Sequence, residues 1–143
     1  MALTHVAEIL GGERVLGKRI RNRMDMIELS KSGVSKGAAT NLAEYLTLSA
    51  KQLSTVLMVS ERTLQRYRST KHFNPFVSER VLQIAEVTAK GAEVFGDKTK
   101  FIQWVHSPIR AFDDRTPFEM LNSAFGAEMV LQELGRIEHG VFS

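Results

Sequence analysis

The chain has 143 residues, 43% of them hydrophobic and 24% charged, the composition of one medium or two small soluble globular domains. It contains no cysteine, which excludes a disulfide framework and thiolate metal sites and fits a reducing cytoplasm. The net charge is +3 but uneven: residues 1–72 carry 12 Lys/Arg against 6 Asp/Glu, and residues 73–143 carry 7 against 10. A basic first half suits phosphate binding, because each cation placed near a phosphate releases condensed counterions. Glu8 interrupts the apolar N-terminus as no signal peptide would, and no apolar run approaches the roughly 20 residues of a membrane span. A soluble, cytoplasmic protein is expected.

Hydrophobic spacing predicts helices throughout. Leu3 to Leu10 forms a short helix that stops at Gly11-Gly12. Residues 15–29 are mixed and basic, compatible with a helix that turns Ile20, Met24 and Ile27 inward. Ser32-Gly33-Val34-Ser35 is a break followed by a cap, leading a helix from Lys36 to Leu46 with Ala39, Leu42, Ala43 and Leu46 on one face. Ser49 caps a helix over 50–57, Met58-Val59 forms a turn, and Ser60 caps a helix over 61–68. After a loop to Pro75, Ser78 is placed as the cap of a long apolar helix ending at Gly96. Asp97 caps residues 98–106, and Ser107-Pro108 ends that helix. Thr116-Pro117-Phe118-Glu119 is a capping box with proline where its missing N–H does no harm, opening a helix to Ala124. Gly126 is expected to interrupt. A last amphipathic helix turns Met129, Val130, Leu134 and Ile137 inward. No strand pair is evident, so the fold class is all-α.

The stretch from Ala50 to Ser69 carries the chemistry. Two short helices, a tight turn and buried residues at fixed offsets define a helix-turn-helix. Leu53 and Leu57 face the neighbouring helix, Ser54 is small where the helices cross, Val59 plugs the turn, and Leu64 and Tyr67 anchor the second helix. That leaves Ser60, Glu61, Arg62, Gln65, Arg66 and Ser69 facing outward, with Thr63 in the same helix start. Arg can bind guanine bidentately, Gln can bind adenine, and Ser can reach phosphate or base edges. Lys51 can contact backbone phosphate. The candidate DNA-binding set is therefore Lys51, Ser60, Arg62, Thr63, Gln65, Arg66 and Ser69. Met58 stands where such turns usually hold glycine, a cost if φ there is positive.

Other motifs carry less. Gly12 to Lys18 matches a phosphate loop up to its last position, which is Arg19 rather than the magnesium-holding Ser or Thr, and no apolar strand precedes it. His5, His72, His106 and His139 lack metal-ligand spacing. Asp113-Asp114 suits a turn rather than a catalytic pair. The chain is accordingly expected to have no metal site, no cofactor and no enzymatic activity.

From about Gly33 onward the chain resembles the Xre-like antitoxins of the Xre/MbcA/ParS group, partners of RES-domain toxins. The resemblance rests on Arg62-Thr63-Leu64-Gln65-Arg66, Ser78 to Leu82, Val94-Phe95-Gly96-Asp97, Trp104 with Ser107-Pro108, Thr116 to Leu121, Gly126, and the ending Leu134 to Phe142. It implies an N-terminal extension over 1–32, a DNA-binding and dimerising helix-turn-helix domain over 33–96, and a toxin-binding domain over 97–143. Such an antitoxin represses its own operon as a homodimer and blocks the active site of a toxin that consumes NAD, needing no NAD itself. The implied toxin-binding residues are Trp104, Arg136, Glu138, His139, Gly140, Val141, Phe142 and Ser143. From the residues alone, Val141 and Phe142 are better suited to folding back on the chain's own core, and it is the resemblance that favours toxin contact. A stand-alone regulator with a C-terminal dimerisation or ligand domain fits the same helix-turn-helix, as does a unit that has lost DNA binding and serves only protein contacts.

Overall fold

Side-chain caps set the helix starts. In the computed structural model, which describes residues 2–140, Asn22, Ser35, Ser49, Ser60, Asn74, Asp97 and Thr116 each accept a hydrogen bond from a backbone N–H two or three residues on. Each such cap satisfies a donor the helix leaves open and stabilises by about 1 kcal/mol. The resulting order is α1 (Ala2–Leu10), α2 (Glu13–Leu16), α3 (Arg23–Ser32), α4 (Lys36–Leu46), α5 (Ala50–Leu57), α6 (Glu61–Arg66), α7 (Pro75–Phe95), α8 (Lys98–Val105), a 3-10 turn (Arg110–Phe112), α9 (Pro117–Met120) and α10 (Ala124–Gly140). The described residues contain no sheet, only isolated bridges Ser35–His72 and Ile109–Arg115. No described helix is long and apolar enough to cross a membrane.

α7 is the strut. Its 21 residues are buried on several sides, and α1, α3, α4, α5, α8 and α10 all pack against it. A helix apolar nearly all round belongs inside a fold rather than on it. Val6 and Leu10 of α1, Leu42 and Leu46 of α4, Ile84 of α7, Phe101 of α8 and Leu134 of α10 join one buried cluster. Two glycines permit the closest approaches. A Cβ on Gly91 of α7 would lie 2.0 Å from the Phe101 ring, and one on Gly126 would lie 1.7 Å from the Met120 carbonyl oxygen.

Several expectations need correction. Residues 15–29 are not one helix: the chain is irregular between α2 and α3, and the Asn22 cap restarts it so that Asp25, Met26 and Leu29 are buried. Ile20 is buried as expected, but Met24 and Ile27 face out. Asp25 accepts from Arg21 and pairs with Lys18 at 3.3 Å, and the Arg21 guanidinium above all holds its carboxyl well below the usual range. The long helix starts at Asn74-Pro75, not at Ser78. Ser78 is fully buried one turn in, donating to the Phe73 carbonyl and accepting from the Val34 N–H. α6 ends at Arg66, and α9 ends at Met120 rather than at Ala124. Gly126 does not interrupt; it lies inside α10, where only glycine clears the end of α9. Val130 and Leu134 are buried, Ile137 is half-buried and Met129 is exposed.

The two glycines of α10 should therefore respond oppositely to the same change. Gly126→Ala forces backbone apart and is expected to lower stability by about 3 kcal/mol. Gly135→Ala meets nothing within 4 Å and should raise it by about 1 kcal/mol through helix propensity. Urea unfolding of the two variants against the parent chain checks both signs.

Candidate nucleic-acid and partner interfaces

The helix-turn-helix is built from α5, a three-residue turn (Met58, Val59 and the cap Ser60) and α6. Ser49 and Gln52 close a capping box at the start of α5, each side chain meeting the other's backbone N–H. Leu53, Val56 and Leu57 are buried, and Ser54 is buried with its hydroxyl donating to the Lys51 carbonyl. Met58 takes the left-handed conformation (φ 58°), its N–H turned back to the Ser54 and Thr55 carbonyls and its side chain 65% exposed. Val59 is half-buried in the turn. Leu64 is buried, and the Tyr67 ring packs 5.8 Å from Phe73. The exit of α6 is fastened to the start of α4: Lys36 donates to the Tyr67 carbonyl through Nζ, and the Gly37 N–H donates to the Ser69 carbonyl.

This anchoring turns one face of α6 to solvent. Arg62, Gln65 and Arg66 are exposed, as are Lys51 and Ser69, and no ion pair engages Lys51, Arg62 or Arg66 among the described residues. Ser60 and Thr63 differ. The Ser60 hydroxyl is occupied as a cap, accepting from the Thr63 N–H and donating to the Thr63 hydroxyl, and Thr63 is half-buried.

The candidate toxin-binding residues are scattered. Trp104 on α8 is half-buried, its ring 5.6 Å from Phe95 and 6.3 Å from Phe101. On the last turns of α10, Arg136 is exposed and bonded to Glu133, and Glu138 pairs with Lys90 of α7 at 2.7 Å. The Lys90 ammonium holds the Glu138 carboxyl below its ordinary range. His139 and Gly140 are exposed. Val141, Phe142 and Ser143 lie outside the described residues.

Three features escape sequence reasoning. Arg80 of α7 is only 5% exposed, and its guanidinium donates to the Val56 carbonyl at 2.8 Å and to the Leu121 carbonyl. A groove between α5 and α9–α10 is lined by Thr55, Val56, Phe118, Met120, Phe125 and Met129. A second groove, between α3 and α7, is lined by Met26, Ile27 and Leu82 with Arg23 and Lys31 on one wall and Glu79 and Glu86 on the other. The only sequence signal for the first groove is Phe125 and Met129, apolar and four apart yet off the Val130–Leu134 stripe.

Two family models divide the chain. The "Antitoxin Xre-like helix-turn-helix domain" matches residues 25–86, and the "Antitoxin Xre/MbcA/ParS C-terminal toxin-binding domain" matches residues 90–140. A curated "Antitoxin Xre" of Yersinia enterocolitica is 30% identical over 120 residues, 82% of this chain and 81% of the relative. Another, of Photorhabdus laumondii, is 40% identical over 67 residues, 46% of this chain and 45% of that one. Among solved structures, a chain of the M. tuberculosis MbcT-MbcA toxin-antitoxin complex superposes with a TM-score of 0.55 at 20% identity, covering 76% of this chain and 96% of that one. At that identity the likeness shows the fold.

The Met58 geometry yields a stability test. A left-handed residue with a Cβ is strained by about 1–2 kcal/mol, part of which glycine relieves. Met58→Gly should raise the urea midpoint by an amount equivalent to about 1 kcal/mol, and an unchanged or lower midpoint would show that the turn carries no strain.

Proposed function

The chain belongs to the Xre antitoxin family, with a helix-turn-helix domain and a C-terminal toxin-binding domain, and on that premise we propose that it neutralises a RES-type, NAD-consuming toxin and represses its own operon. Residues 33–96 bind operator DNA and dimerise, and residues 97–143 hold the toxin and cover its active site. The antitoxin acts by occupying that site rather than by chemistry of its own, so it uses no cofactor. On this reading it works in the cytoplasm.

One observation carries the regulatory half. α6 is anchored through Leu64 and Tyr67 while Arg62, Gln65 and Arg66 stand exposed on its other face, as a groove-reading helix requires. Lys51 and Ser69 flank it as phosphate contacts. Ser60 and Thr63 hold the helix start in position, their hydroxyls already engaged with each other. One unit reads one half-site, so a two-fold dimer is required to span half-sites about 34 Å apart. The α3–α7 groove is assigned as the face for it: an apolar floor of Met26, Ile27 and Leu82 is flanked by the Arg23–Glu86 ion pair and by Lys31 and Glu79, whose opposite charges would meet in reversed order across a two-fold axis.

In the C-terminal half, Trp104, Arg136, Glu138, His139 and Gly140 together with Val141, Phe142 and Ser143 form the toxin contact. The end of α10 is the plug: Arg136 and His139 are exposed there, and Glu138 is steadied by Lys90. Leu134 is fully buried, so a truncation that tests the plug must keep it.

Both halves can be tested in one pair of variants. Arg62→Ala with Arg66→Ala should weaken operator binding in gel shifts at two salt concentrations and flatten the salt slope by about 2, while toxin neutralisation persists. Removing residues 139–143 should do the reverse, abolishing rescue of toxin-expressing cells and sparing the gel shift. A folded double-arginine variant that cannot neutralise, or a truncation that still does, contradicts the two-site arrangement.

A further inference from the structure

Among the described residues, six large apolar side chains are exposed, and two of them, Phe125 and Met129, line one groove where the helix-turn-helix meets the C-terminal module. Phe125 is 83% exposed and Met129, one turn further along α10, is 43% exposed. Both line the groove whose opposite wall is Thr55 and Val56 of α5. Met58 follows two residues after Val56, at the turn of the helix-turn-helix.

Isolated exposed apolar residues need no explanation, but an adjacent pair on a preformed groove does. This groove is held rigid on both sides. The Arg80 guanidinium, lying beneath, binds the Val56 carbonyl on one wall and the Leu121 carbonyl on the other. Gly126 lets the first turn of α10 seat directly on the Met120 carbonyl, which sets the backbone that carries Phe125 at the edge of the groove. An outward aromatic beside an apolar cleft is the arrangement of an interface anchor. The rim is polar, with Arg115, Asn122 and Ser123 around the apolar floor, as in protein interfaces generally.

We propose that this groove is a second docking site for the toxin, distinct from the end of α10, and that the toxin seated there touches α5 of the helix-turn-helix as well as the C-terminal module. The occupant follows from position: α9 and α10, which supply most of the lining, lie within residues 90–140, the segment matched by the toxin-binding family model. The proposal rests on the antitoxin reading. It adds that the toxin's footprint crosses into the DNA-binding module, beside Thr55 and the Met58 turn, so toxin and operator address one rigid piece of the protein.

The test is a titration of the full-length chain with the purified toxin from the neighbouring gene, for the parent chain, Phe125→Asp and Thr55→Arg. Both positions are exposed, so both variants should melt as the parent does, and circular dichroism verifies this. Each should weaken toxin affinity by at least about 30-fold, although Thr55 lies outside the C-terminal module. Parent-like affinity for Phe125→Asp overturns the groove while leaving the antitoxin reading intact. Loss with Phe125→Asp but not with Thr55→Arg overturns the shared footprint. A change in oligomeric state with toxin affinity unaltered assigns the groove to a second copy instead. A parent chain that binds no toxin at all overturns the antitoxin reading and the groove with it.

Discussion

A guanidinium that has no carboxylate partner among the described residues sits in the interior, between the end of α5 and the turn after α9. Burial disfavours the charge of Arg80, yet arginine stays protonated in proteins, so the fold must supply acceptors or lose stability. It supplies two backbone carbonyls, Val56 and Leu121, both at the C-terminal ends of short helices. Those ends carry partial negative charge and unpaired carbonyls, so one cation satisfies two helix termini at once. The consequence is architectural. The helix-turn-helix unit and the C-terminal segment do not merely abut; their spacing is set by the reach of one side chain rooted in α7. Replacing Arg80 by a shorter residue would leave two buried carbonyls without a donor, which is costlier than losing the bonds themselves.

The same economy of parts governs the second helix of the helix-turn-helix. α6 has only six residues, too few to be stable alone. It is held by Leu64 and Tyr67 on its inner face, by the Ser60–Thr63 cap at its start, and by Lys36 at its exit. None of these contacts uses Arg62, Gln65 or Arg66, so the side chains that position the helix are not the ones it exposes. Met58 accepts backbone strain within the turn, and Val59 fills the space behind it.

What was legible in the sequence was local. Ser35, Ser49, Ser60, Asp97 and Thr116 announce helix starts because a capping oxygen acts on donors only two or three residues away. The inward faces of α4 and α5 follow directly from helical period. What was hidden depends on distant chain. Met24 and Ile27 have helical spacing, but the Asn22 cap re-phases α3 and buries Met26 and Leu29 instead. Ser78 looks like a cap because nothing local reveals that its hydroxyl serves the Val34 N–H, 44 residues away. Gly126 looks like a break because its reason, the Met120 carbonyl, belongs to another helix. Arg80 and the Phe125 groove are invisible for the same reason: neither has a partner within a turn of itself. The candidate toxin contacts at the end of α10 came from family resemblance, and nothing in their spacing alone sets them apart from an ordinary amphipathic terminus.

α1 packs chiefly on α7, and its Val6, Ile9 and Leu10 are buried there and against α4. The α7 residues that cover them are separated from them by the whole helix-turn-helix. During synthesis, which proceeds at about 5–20 residues per second, α1 therefore finds α4 first and its main support, α7, well after. The face of α1 that α7 covers is sheltered late, and stays open to chaperones and proteases for several seconds in every newly made copy.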